Sequence, residues 1–367
     1  MGNEITSDSK FNELTVWATA RCNFDCDYCF VYKKIGKQPV QDLCDDVIDV
    51  LPSFCKIWLN ERGSIHFFGG EPLVVRGVIE KVYDKVHSVM PDVRFGLTTN
   101  ASLLTEDVAK WLGERHFYVH LSIDGWKGTH NLHRKYPDGR PTWDEVYAGV
   151  ENARAFISDS TLRWTVTEET AKNIYDDVIM CLKNGFKSIA LEFDYDSEWS
   201  KEGLEALEGE LRRVGNHLLV LAKNGKYVNW KPIEDVIAMF TRNKDDWMNR
   251  CGLAQGGVGV DVNGDIYPCH RFVATRHPNL VIGNVKTGIE KAKRENLWKE
   301  WKSSRPRHKD SYSRCLDCPL VGKCIGGCIA SNYLAGNVHM PTKSYCDIEN
   351  VKVKALLDVA FVMKGLK

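Results

Sequence analysis

The sequence predicts an α/β fold, a partial (βα)6 TIM-like barrel followed by a C-terminal domain of short β-hairpin and helices. Strand-like and helix-like segments alternate six times between Leu14 and Lys223, which implies a parallel sheet with helices outside it. After about residue 250 strands shorten, glycines cluster and cysteines crowd. The 367 residues suffice for two domains or one large barrel with an appendage.

Leu14–Ala18 reads as a buried first strand. Asp42–Trp58 has helical apolar spacing through Val47, Val50, Leu51, Phe54, Ile57 and Trp58, with Pro52 placed to kink or divide it. Strand Ser64–Phe68 leads to a helix near Val75–Met90, strand Val93–Thr98 to helix Thr105–Gly113, and strand Phe117–Ile123 to helix Trp143–Ile157. Strand Leu162–Thr167 then precedes helix Thr170–Asn184, and strand Ser188–Phe193 precedes helix Gly203–Lys223. Active groups in such folds gather beyond the C-terminal ends of the strands. Residues 1–226 are expected to form the barrel, 227–250 a bridge, 251–346 the second domain and 347–367 a C-terminal helix. Within the second domain, Gly259–Tyr267 reads as a hairpin with a type I′ turn at Asn263-Gly264, carrying Cys269 back toward Cys251.

With 49 basic and 49 acidic side chains, no surplus charge points to nucleic acid or a membrane surface. The N-terminus has no apolar signal core, and no run is long enough to span a bilayer. Thirteen cysteines without an export signal point to metal ligation in a reducing cytoplasm rather than a disulfide scaffold. Gly2 reads as part of an ordinary terminus. The eleven Trp read mainly as core.

Cys22, Cys26 and Cys29 follow the first strand with C-x3-C-x2-C spacing. Three thiolates on one loop can hold three corners of a cubane and leave the fourth iron open. Zinc knuckles favour paired C-x2-C arms and four ligands, and this loop fits them poorly. One βα unit later, Gly69-Gly70-Glu71-Pro72 offers backbone that a ligand can approach closely, a carboxylate suited to an ammonium group, and a fixed turn. A second cysteine field holds Cys251, Cys269, Cys315, Cys318, Cys324, Cys328 and Cys346. A zinc ribbon would account for the Cys315–Cys318 pair. Cys44, Cys55 and Cys181 lie on helices away from both fields and read as small packing side chains.

The cysteine loop and Gly-Gly-Glu-Pro resemble the signature of the radical S-adenosylmethionine (SAM) enzymes, and residues 251–346 resemble their SPASM twin-cluster extension. The resemblance implies the partial barrel, SAM as cofactor, and three [4Fe–4S] clusters, one SAM-binding and two auxiliary. Cys22, Cys26 and Cys29 would hold the first. Cys315, Cys318, Cys324 and Cys346 would hold one auxiliary cluster, and Cys251, Cys269 and Cys328 the other. Residues 252–268 contain no cysteine to complete that last set, so its fourth site is open to substrate, water, or a side chain such as Asp261 or His270. Gly69, Gly70, Glu71 and Pro72 would bind the SAM amine, and Thr98, Thr99 and Asn100 the ribose. Ser122, Asp124 and Leu191 would be further pocket elements, Arg134 would hold the SAM carboxylate, and Tyr28 would lie against the adenine. An electron from the reduced cluster would cleave SAM to a 5′-deoxyadenosyl radical, which abstracts hydrogen from a C–H bond.

By layout the chain is similar to anaerobic sulfatase maturases, through Leu-Ser-Ile-Asp-Gly, His-Asn-Leu-His-Arg-Lys and the compact C-terminal cluster domain. Those enzymes place an Asp base directly after the Cys of their Tyr-Pro-Cys run. Here His270 stands there, a histidine competent as a base near neutral pH. The exchange speaks against formylglycine formation and favours maturation of a ribosomally made peptide by oxidation, cross-linking or thioether formation, with epimerisation, a cysteine serving as hydrogen donor, as an alternative. About a dozen residues precede the first strand, so leader binding is expected from a separate protein or the enzyme's own surface. The electron donor is expected to be a flavodoxin or ferredoxin. From another class, an iron–sulfur electron carrier or zinc-binding module would need neither Gly-Gly-Glu-Pro nor Arg134.

Overall fold

A computed structural model describes residues 9–31, 41–241, 253–254, 256–303 and 313–366. They fall into two compact units that interleave along the chain. The first comprises Met1–Ser122, His133–Ser160 and Cys251–Glu300; the second comprises Ile123–Leu132, Thr161–Arg250 and Trp301–Lys367. Strands are numbered β1–β11 along the chain.

In the first unit β1 (Phe11–Thr19), β2 (Leu59–Gly69), β3 (Arg94–Thr99) and β4 (Tyr118–Ser122) run parallel in that order. On its other side β1 pairs in parallel with β8 (Gly257–Val260), from Glu13 against Gly257 to Val16 against Val260. Antiparallel β9 (Asp265–Tyr267), β10 (Gly283–Asn284) and β11 (Gly288–Ile289) continue outward. The core between sheet and helices includes Phe67, Phe95 and Phe117, stacked with ring centroids 5.7 to 6.5 Å apart.

The helix Asp45–Trp58, between β1 and β2, buries Val47, Ile48, Leu51, Phe54 and Cys55. It starts three residues later than the apolar spacing predicts, because the Asp42 carboxylate accepts from Thr19 Oγ1 at 2.6 Å and from Arg21. Pro52 lies inside the helix without ending it. Asp45 and Asp46 occupy its first turn, where the helix dipole favours negative charge.

The predicted Asn263-Gly264 type I′ turn is corrected. That turn needs positive φ at both central residues, yet only Gly264 has it, at 86°. The buried Asp261 carboxylate instead accepts from the N–H of Asn263 and of Asp265, each at 2.9 Å, building a wider loop across Asp261–Gly264. This carboxylate is thereby engaged in the turn, and burial holds its pKa above the ordinary value.

In the second unit β5 (Asp159–Val166), β6 (Ser188–Phe193) and the short β7 (Asn229–Trp230) are parallel neighbours. The single helix expected over 170–184 is two, Glu168–Ala171 and Ile174–Lys183: Thr167 and Thr170 close a capping box that starts the first, and the chain turns at Lys172–Asn173 before the second. Of the expected bridge, Asn229–Trp230 forms β7 and Lys231–Thr241 is helical, while residues 242–250 lie outside the described residues. The C-terminal helix begins at Lys343, not 347, and so carries Cys346 in its first turns. Among the described residues, no helix is long and apolar enough to cross a membrane.

Candidate cofactor and cluster sites

The loop bearing Cys22, Cys26 and Cys29 leaves β1 at Thr19 and is pinned from several sides. Arg21 Nε and Nη2 donate to the two Asp42 oxygens at 3.0 and 2.6 Å. Asn23 Nδ2 donates to Ser102 Oγ at 2.9 Å, Ser102 Oγ to Asn100 Oδ1 at 2.8 Å, and Asn100 Nδ2 to Asn23 Oδ1 at 2.8 Å. This closed ring ties the residue after Cys22 to the end of β3. Residues 133–136 supply the rest. Asp27 meets His133 Nδ1 at 2.9 Å, Arg134 lies over the Tyr28 ring at 5.5 Å, and the Lys135 carbonyl accepts from the Asp25 N–H at 2.8 Å. Phe24 and Tyr136 meet edge to face at 5.2 Å. Removing the Asn100 amide should cost this ring about 1–2 kcal/mol. Asn100→Ala is therefore expected to raise the rate of protease cleavage in residues 21–30 of metal-free protein and to lower iron retention, read by timed digestion and iron assay.

The glycine pair at the end of β2 packs against the same loop. A Cβ on Gly69, whose φ is 128°, would lie 2.1 Å from the Thr19 carbonyl oxygen, and one on Gly70 would lie 2.0 Å from that of Arg21. Gly70 N–H and Glu71 N–H donate to those two oxygens at 3.0 and 2.8 Å. The close approach these glycines permit is thus to the cysteine loop's own backbone.

Glu71 is fully buried. Its Oε1 accepts from Leu73 N–H at 3.0 Å and Thr99 Oγ1 at 2.7 Å, and its Oε2 from Asn100 N–H at 2.6 Å. The carboxylate therefore caps the short turn Pro72–Val75 and ties β2 to β3. Burial pushes its pKa up to about 7, against the pull of those donors and the Arg134 charge. Burial, with Glu71 second, also raises the Cys22 thiol; a bound metal reverses that preference, because thiol ligands bind deprotonated.

Thr98 Oγ1 meets His66 Nε2 at 2.8 Å, and His66 Nδ1 meets the Tyr118 hydroxyl at 3.0 Å. Arg134 is buried, and Ser122 ends β4 half-buried in the same unit. In the second unit, buried Asp124 accepts from the Thr165 N–H at 2.8 Å, and Leu191 is buried on β6. Asn23, Asp27, Ser102 and Tyr136 went unnoticed in the sequence, where only the nearness of the first two to the cysteines marks them.

Cys269 precedes the short helix His270–Val273 in the first unit. His270 lies 5.1 Å from the ring of Phe68, the residue before Gly69, and 6.5 Å from that of Phe30, the residue after Cys29. Arg271 stands over Phe30 at 5.0 Å. Cys251 lies outside the described residues, and Cys328 precedes the helix Ile329–Leu334 of the second unit.

Cys315, Cys318, Cys324 and Cys346 all line one cavity of about 540 Å³ in the second unit. Burial raises the Cys324 and Cys346 thiols to about 11 each. The Gly326 N–H donates to Cys324 Sγ at 3.2 Å, Asn350 Nδ2 donates to Cys318 Sγ at 4.0 Å, and Arg314 places positive charge near Cys346. Four thiols, polar donors and a cation around one void fit an anionic cubane. Among the described residues no three His, Cys, Asp or Glu side chains converge on a single metal ion. A cubane spreads its ligands over separate irons and does not need such convergence. Cys55 and Cys181 are buried packing residues.

A three-cysteine loop at the end of β1 and, in the second unit, a cavity lined by four cysteines give the chain two candidate iron–sulfur sites. Residues 18–178 match the radical SAM superfamily, and residues 251–319 match SPASM, an iron–sulfur cluster-binding domain. The chain carries both domains, and SAM and iron–sulfur clusters are its cofactors. It is 25% identical over 331 residues to the cysteine-type anaerobic sulfatase-maturating enzyme of Clostridium perfringens, covering 85% of this chain and 86% of that one. It is 21% identical over 378 residues to the radical SAM cyclopropyl synthase TigE of Paramaledivibacter caminithermalis, covering 97% and 76%. Native anSMEcpe with bound AdoMet and Cp18Cys peptide has the same fold, with a TM-score of 0.77 at 20% identity over 97% of this chain and 99% of that one.

Proposed function

We propose that this chain is a peptide maturase that removes hydrogen from a residue of a ribosomally made peptide, leading to oxidation, cross-linking or thioether formation. Cys22, Cys26 and Cys29 hold the SAM-binding cluster in this reading. Cys315, Cys318, Cys324 and Cys346 hold one auxiliary cluster, and Cys251, Cys269 and Cys328 ligate the other. When bound, cluster and SAM supply hydrogen-atom abstraction from an unactivated C–H bond.

The observation that carries the reading is His270, packed on Phe68 and near Phe30, beside the glycine pair and the cysteine loop of its own unit. Phe30 and Phe68 give an apolar wall that keeps water from a reacting carbon. His270 takes a proton from the peptide on an imidazole nitrogen. The fold shared with peptide-bound anSMEcpe and with SuiB bound to precursor peptide SuiA supports a peptide substrate.

His270→Gln is expected to retain SAM cleavage and to lower peptide product by about 10²–10⁴-fold, measured as 5′-deoxyadenosine against modified peptide. A parallel fall of both would remove His270 from the base role. Formylglycine formation is the second reading, favoured by likeness to a cysteine-type sulfatase maturase along 85% of the chain. The deciding test is mass spectrometry of anaerobically loaded enzyme, SAM and reductant with short peptides encoded beside its gene, in deuterated buffer. Loss of two hydrogen masses supports the maturase. Gain of one deuterium means epimerisation, and turnover of a sulfatase-derived peptide alone favours the second reading.

A further inference from the structure

A row of side chains crosses three strands of the first unit. His66 on β2 stands opposite Gly96 on β3, and Gly96 opposite Tyr118 on β4. A glycine inside a strand gives up packing and often marks a close approach. Here it makes room for a ring: a Cβ on Gly96 would lie 2.3 to 2.5 Å from Cζ, Cε2 and Cε1 of Tyr118. The Tyr118 ring therefore lies across β3, and its hydroxyl meets Nδ1 of buried His66 at 3.0 Å. The two rings stack with centroids 5.2 Å apart, and that of His120 lies 5.4 Å from His66. The other nitrogen, His66 Nε2, meets Thr98 Oγ1 at 2.8 Å. From Phe95 to Thr99, β3 is buried except at half-buried Thr98, close to the strand end that Asn100 ties to the cysteine loop.

We infer that His66, anchored by the Tyr118 hydroxyl across Gly96, aims the Thr98 hydroxyl at a ribose hydroxyl of SAM. The inference rests on the ribose contact that the family resemblance implies for Thr98. A threonine hydroxyl donates one hydrogen bond, accepts others, and rotates to suit its partners. His66 occupies one of these directions, so the direction left for a ligand is set before SAM arrives. A group fixed in this way costs less ordering when the ligand binds. His66 and Tyr118 act through Thr98 and are positioning residues.

The test is equilibrium dialysis of labelled SAM with anaerobically loaded enzyme, its clusters kept oxidised so that SAM binds without being cleaved. Thr98→Val and His66→Phe are each expected to weaken SAM binding by about 3–10-fold, the worth of one neutral hydrogen bond. The double variant should bind no more weakly than Thr98→Val, because groups acting through one contact do not add. The 2′-deoxy and 3′-deoxy analogues of SAM separate positioning from a general structural role. With the analogue that lacks the contacted hydroxyl, His66→Phe should bind as tightly as wild type. Multiplied losses in the double variant overturn the inference, as does an equal loss by His66→Phe with SAM and both analogues. Wild-type affinity in His66→Phe beside a weakened Thr98→Val overturns it too. If Thr98→Val binds SAM as wild type does, the ribose contact itself fails, and the inference with it. Should His66→Phe lose iron, Tyr118→Phe decides, since it keeps the ring and removes the hydroxyl. Weaker SAM binding that disappears with one deoxy analogue then supports the inference, and wild-type binding overturns it.

Discussion

Gly70→Ala is expected to abolish SAM cleavage while leaving the auxiliary clusters loaded. The added Cβ would sit 2.0 Å from the Arg21 carbonyl oxygen and 2.5 Å from its carbon, and both are backbone atoms with no rotamer to yield. Either β2 or the cysteine loop must move, and the hydrogen bond from Glu71 N–H to Arg21 is lost with it. A displacement near 1 Å at a reacting centre can cost about 100-fold in rate, so 5′-deoxyadenosine formation should fall at least that far. Iron should drop by about four per chain from about twelve, the content of one cubane out of three. Iron and labile sulfide assays with product chromatography check both halves. Wild-type iron together with wild-type cleavage would remove the glycine pair from its docking role.

Glu71 gives the second large effect. Glu71→Ala leaves three donors, the Leu73 and Asn100 N–H groups and the Thr99 hydroxyl, without their acceptor in the core. Each orphaned buried group costs about 1–3 kcal/mol, so metal-free protein should lose at least about 3 kcal/mol of unfolding free energy. The carboxylate also gives stability a pH dependence of known sign. Its folded pKa, about 7, lies above the ordinary 4.5, so the folded state binds the extra proton between those values. The associated stabilisation is fully present below pH 4.5 and is lost as pH rises through 7. At 1.36 kcal/mol per unit this amounts to roughly 3 kcal/mol. Denaturant titrations of metal-free protein at pH 5 and 8 should show that component in wild type and not in Glu71→Gln. Equal pH slopes in the two proteins would refute the assignment.

These effects mark the limit of what the sequence makes legible. The six βα units, the three-cysteine loop and the second cysteine field are visible because apolar periodicity and cysteine spacing are local signals. Local capping is visible in principle too, but two threonines are a weak mark of the helix start at Glu168, and the turn at Lys172–Asn173 interrupts the apolar spacing of 170–184 without a Gly or Pro to signal it. Pairings across long stretches of chain leave no such trace. Nothing local in Asn100 says that its amide will meet Asn23, or that Glu71 will hold the end of β3. The Asn263-Gly264 pair misleads for a related reason. The turn residue is there, but the buried carboxylate of Asp261 dictates a wider loop than the dipeptide suggests.

The pairing of β8 with β1 gives the C-terminal half of the chain a duty beyond carrying clusters. β1 is buried from Leu14 to Thr19, with β2 along one flank and β8 along the other. Residues 257–260 therefore act as a stopper on the strand that delivers the cysteine loop. Without them, β1 would offer unpaired N–H and C=O groups on a strand rich in apolar side chains, a template for any foreign strand that meets it. The SPASM segment thereby covers the edge of β1 that another strand could otherwise join.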